Sequence, residues 1–96
     1  MHARIVIGSI EPGRLDEVIR LWRESVAPSA KQQEGFISAK LLVQRTTGKV
    51  LSLGMWQSRI AFERSVRWNQ TQLDRFAGLF AVPPVVEDYE VAEEVS

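Results

Sequence analysis

Few side chains in this sequence suggest a reactive or ligand-binding role, and most of those are aromatic. Trp56 closes an extended run; its ring could stack an aromatic ligand and its indole N–H could donate. Trp68 and Asn69 follow on a helical stretch, where the Asn69 amide could orient a substrate oxygen. Tyr89 carries a phenol that donates or accepts, and Phe62 offers apolar surface for a cavity wall. Each has an ordinary structural role as well. A Trp at a strand end packs, an Asn ends a helix, a half-buried strand Tyr bonds to backbone, and a Phe at helical spacing fills a core.

The missing residues limit the chemistry more sharply. There is no cysteine, so disulfides, thiolate catalysis and Cys-bound zinc or iron–sulfur sites are excluded. The only histidine, His2, reads as a frayed residue beside the chain start, which removes His-based triads and multi-histidine metal sites. The acidic residues show no metal-ligand spacing, so no metal is expected. No residue stands out as a proton acceptor, and no catalytic residue is assigned.

Twelve basic residues balance twelve acidic ones, which argues against a nucleic-acid or anionic-membrane partner. No apolar run approaches the ~18 residues of a spanning helix, and no signal-peptide pattern is visible. A cytoplasmic protein is expected. At 96 residues with 45% hydrophobic composition, the chain has enough material for one core and one domain, residues 1–96.

The positioning elements follow from pattern. Ala3 to Ile10 is short, apolar and β-branched, as a buried strand should be, and Pro12-Gly13 ends it in a turn. Leu15, Val18, Ile19, Trp22 and Val26 form one apolar helical stripe, with Pro28 expected to end or kink the helix. Phe36–Arg45 and Val50–Trp56 flank Thr46-Thr47-Gly48-Lys49 and read as a hairpin. Alternation assigns Ile37, Ala39, Leu41 and Val43, with Leu51, Leu53 and Met55, to the face that helices cover. Ser58 fits the N-cap of a second helix, with a break expected near Asn69 to Thr71 and a stop at Gly78 and Pro83-Pro84. Val85 to Val95 would be the last strand.

The order β-α-β-β-α-β is the split βαβ, ferredoxin-like α+β arrangement: a four-stranded antiparallel sheet with two helices on one face. The uncovered face would then carry Leu42, Val50, Trp56, Val6, Tyr89 and Val91. Such a patch marks an interface, here between two copies of the chain packed sheet to sheet. Alternation puts Arg4 on that face too, where it needs a partner such as Glu87 or Glu93 across the dimer.

Several stretches together resemble a known family. They are Pro12-Gly13-Arg14 before an amphipathic helix, Glu34-Gly35-Phe36 opening the second strand, the Thr46-Thr47-Gly48-Lys49 turn, and Met55-Trp56-Gln57-Ser58 with Ala61 and Phe62. The series is similar to the antibiotic biosynthesis monooxygenase-like domain of the dimeric α/β-barrel superfamily, over nearly the whole chain. The resemblance implies a homodimer and a pocket between sheet and helices, with Trp56, Phe62, Trp68, Asn69 and Tyr89 as candidate lining. It also implies oxidation of a small aromatic or phenolic metabolite by O2 without cofactor. A non-catalytic dimeric module that binds a small molecule or scaffolds is the alternative, because fold does not settle activity.

The haem-degrading branch of that family calls for an Asn on the first strand, a second Trp shortly after the Ala-Phe pair and a His on the second helix. This chain has none on its first strand, Ser65 about where the Trp would be, and no His beyond His2. The quinol-oxidising and isomerase branch typically has Glu two residues before the strand-three Trp, where this chain has Gly54.

Overall fold

The computed structural model describes all of residues 1–96. Four strands, β1 (His2–Ser9), β2 (Phe36–Gln44), β3 (Lys49–Trp56) and β4 (Val85–Glu90), form one antiparallel sheet in the order β2-β3-β1-β4. The helical segments α1 (Leu15–Leu21), α2 (Ala27–Ala30), α3 (Arg59–Arg64) and α4 (Val66–Phe76) complete the expected order and pack on one sheet face. The core lies between the layers, around Ile10, Val18, Val26, Val50, Phe76 and Leu79.

The helix between β1 and β2 passes through Pro28 rather than ending there. Trp22–Val26 is π-helical and joins α1 to α2 without interruption. The wider π turn carries the chain past a residue that has no N–H and whose ring would crowd the carbonyl four residues back. The second helical region breaks at Ser65, four residues before the expected position. Ser65 Oγ donates to the Phe62 carbonyl at 2.7 Å and accepts from Arg4 at 3.0 Å, which holds the junction there. Ser58 caps α3 as expected, its hydroxyl accepting from the Ala61 amide at 3.1 Å.

The register of the sheet overturns part of the alternation reading. Val43 pairs with Val50, Leu41 with Ser52 and Ala39 with Gly54, so Val50, Ser52, Gly54 and Trp56 share the helix-covered face. Leu51, Leu53 and Met55 therefore lie on the open face, the reverse of the expectation. Both faces of β3 are apolar enough that period two alone could not choose; the turn at Gly48, with φ 78°, sets the pairing. Val6 and Arg4 also move to the covered face, opposite Ser52 and Gly54. A bulge at Ile37 has a similar effect. Phe36 pairs with Trp56 while Ser38 pairs with Met55, so Phe36 turns inward and Ile37 outward.

β4 is shorter than expected. It pairs only with β1, and that ladder runs out where His2 meets Glu90; the Val91 amide makes the last bond, to the Met1 carbonyl. Val91 thus lies beyond the sheet. No helix is long and apolar enough to cross a membrane.

Candidate functional site

A cavity of about 70 Å³ lies between the sheet and the helices, walled mainly by apolar and aromatic side chains. β3 brings Trp56 to its floor, the bulge in β2 brings Phe36, and α4 brings Trp68 and Asn69. Phe36 meets the Trp56 ring edge-on at 5.5 Å, and Trp68 meets it at 5.9 Å. The π-helical segment adds Trp22 and Val26. The volume is about half of the ~150 Å³ that accommodates benzene. A ring therefore enters only as the wall gives, and half-buried Trp22 and Phe36 have solvent beside them to move into.

Polar groups in the wall are few. Two of the three indole N–H groups are committed: Trp22 Nε1 donates to Ser52 Oγ at 3.0 Å and Trp68 Nε1 to Ser29 Oγ at 2.9 Å. Trp56 Nε1 has no partner, although Trp56 is 1% exposed. Gln72 also lines the cavity, its Oε1 accepting from Ser25 Oγ at 2.7 Å.

Arg4 is the one ionisable side chain in the wall. It is buried, and Nη2 donates to Ser65 Oγ at 3.0 Å and to the Phe62 carbonyl at 3.3 Å. Its Cζ lies 4.5 Å from the Phe62 ring centroid and 5.6 Å from that of Trp56. Burial lowers its pKa to about 10, partly offset by Asp88, so the guanidinium keeps its charge at neutral pH.

Among the sequence-derived candidates, Trp56, Trp68 and Asn69 meet at the cavity. Phe62 does not line it; it backs Arg4 and packs at 4.7 Å against His2. Tyr89 lies on the open face, half exposed, with its hydroxyl donating to Glu87 Oε1 at 2.9 Å, a bond that raises its pKa. His2 is not frayed. It is buried, and its Nε2 lies 2.6 Å from Asp88 Oδ1. Arg4 lies on the face opposite to the one that alternation predicts, and a lone charge within an apolar strand is the signal that marks it. Nowhere in the chain do three or more His, Asp or Glu side chains gather to hold a metal ion.

A sequence profile of the antibiotic biosynthesis monooxygenase family matches residues 1–72. The uncharacterized protein Rv2557 of Mycobacterium tuberculosis is 31% identical over 92 residues, which cover 96% of this chain and 41% of that protein. The chain thus spans about two fifths of the length of the curated relatives it matches. In fold it is similar to SnoaB, a cofactor-independent oxygenase from Streptomyces nogalater, with a TM-score of 0.81 at 14% identity over 98% of this chain and 95% of that one. It is also similar to the ActVA-Orf6 monooxygenase of Streptomyces coelicolor in complex with nanaomycin D, with a TM-score of 0.80 at 16% identity over 99% and 90%. At these identities the likeness is one of fold.

Proposed function

The chain belongs to the antibiotic biosynthesis monooxygenase family, and from that premise we propose that it oxidises a small aromatic or phenolic metabolite with O2 and no cofactor. The observation that carries this reading is the apolar, aromatic-walled cavity holding a few hydrogen-bond donors. Such a site suits a substrate that supplies its own electrons. The substrate loses a proton and becomes electron-rich. A ring CH2 then becomes C=O, the second oxygen atom leaves as water, and all four electrons come from the substrate. The protein's part is to exclude water, orient the ring and stabilise developing negative charge. Trp56 and Trp68 would flank the ring, and Asn69 would hold an oxygen. The monooxygenase with bound nanaomycin D, a relative in fold, supports a small-molecule ligand for this architecture.

The test is oxygen uptake with a panel of acidic phenols, anthrones and hydroquinones. Uptake should need no added flavin, survive chelator treatment, and fall at least about tenfold in Trp56→Ala. No uptake with any member of the panel would overturn the reading. One observation favours a second reading, a binding module without turnover: the cavity has no side chain suited to accept a proton, its sole ionisable group being Arg4. Ligand binding without oxygen uptake would select it.

Both readings include a homodimer. Ile5, Ile7, Leu51, Leu53 and Met55 are half-buried on the open face, beside exposed Leu42 and Val85. A second copy packed sheet to sheet would cover this apolar surface.

A further inference from the structure

The Trp56 indole N–H is buried without an acceptor, while the other two indoles each have a serine. An unpaired buried donor costs free energy, so a group that accepts from it in use explains its retention. Its surroundings say what kind of group. Ala39, Gly54, Arg4 and Asp88 form one row across the four strands, on the face toward the helices. Gly54 leaves a gap in that row: a Cβ there would lie 3.4 Å from Trp56 Nε1. Beside the gap stands Arg4, a buried cation that makes no ion pair and whose hydrogen bonds all leave from Nη2. The carboxylate in its row, Asp88, is bound instead to His2 Nε2 at 2.6 Å. A cation held in an apolar wall attracts an anion far more strongly than one in water.

We propose that the cavity takes its ligand as an oxyanion, the charged oxygen seated over Gly54 between the Arg4 guanidinium and the Trp56 indole N–H. The proposal rests on the reading of this cavity as the substrate site and narrows the substrate to a phenol that binds as its phenolate. It also accounts for a wall without a base. Donors that favour the ionised form lower the ligand's own pKa, so the proton leaves to bulk water as the ligand enters. Asp88, the acid that acts on the Arg4 guanidinium, is paired with His2, and Arg4 stands between it and the gap in the row.

The probe is 4-nitrophenol, whose phenolate absorbs in the visible. Titrated with the full chain, the bound probe should ionise at least one pH unit below the free probe, equivalent to phenolate binding about tenfold tighter than phenol. Arg4→Gln should remove most of that shift. Trp56→Phe keeps a ring but loses the N–H, and should reduce the shift severalfold. Gly54→Ala fills the gap and should weaken phenolate binding more than phenol binding. A bound probe that ionises at or above the pH of the free one would overturn the proposal and leave the small-aromatic reading standing. Failure of either form to bind would overturn both. The wild-type titration decides by itself if a variant does not fold.

Discussion

At the scale of single residues, Arg4 and Trp56 each carry a cost to stability that their position does not require. Arg4 is a buried charge that makes no ion pair, and desolvation lowers its pKa to about 10 although Asp88 offsets part of the shift. A base whose folded pKa is depressed releases protons on folding. Its destabilising effect is therefore full below about pH 10 and is relieved as pH rises toward its ordinary value. Arg4→Met should leave the fold equally stable, or more stable by about 1–2 kcal/mol, at neutral pH. The gap between the two proteins should narrow at the highest pH that the fold tolerates. Urea unfolding at the two pH values measures this. A strongly destabilised Arg4→Met protein would mean that the bonds to Ser65 and Phe62 outweigh the desolvation. Stability gained with anion binding lost would be the trade-off expected at a functional position.

At the scale of elements, local irregularities shape the cavity. The π-helical Trp22–Val26 segment presents Trp22 and Val26, its first and last residues, to the cavity wall. The bulge at Ile37 turns Phe36 inward against Trp56. The break at Ser65 lets one short residue end α3, begin α4 and hold the Arg4 guanidinium. Ser58 fixes the start of α3, and Ser58→Ala should cost about 1 kcal/mol, read as a lower denaturation midpoint with unchanged slope. Gly35 joins the α2 region to β2 at φ 79°, and a Cβ there would lie 2.4 Å from Ala61 Cβ at the start of α3. Gly35→Ala combines a disfavoured backbone with a clash and should cost more than Ser58→Ala in the same measurement.

At the scale of the whole molecule, the sheet has one face under helices and one face that is apolar yet uncovered. Native mass spectrometry should give twice the 10.9 kDa chain mass. Leu53→Asp, central on the open face opposite Ile5 and Lys40, should shift the protein to single chains, because a dimer would bury the new carboxylate without a partner. A wild-type protein of single-chain mass would remove the dimer from the proposed function and leave the cavity, which lies on the other side of the sheet, unaffected.

The element order, the antiparallel α+β class, the hairpin and the cap at Ser58 are all legible in the amino-acid sequence. These rest on local periodicity, turn chemistry and capping, which neighbouring residues contain in full. Also legible are Trp56, Trp68 and Asn69 as cavity-lining candidates, because aromatic and amide side chains on adjoining elements are visible by type. The folded chain alone reveals which face of β3 is covered and that Arg4 lies within the wall. It likewise reveals that His2 is pinned by Asp88, and that Tyr89 and Phe62 stand outside the cavity. Strand pairing fixes these. A strand with apolar residues on both faces carries no local preference for either, and a bulge of one residue reverses the face of what precedes it.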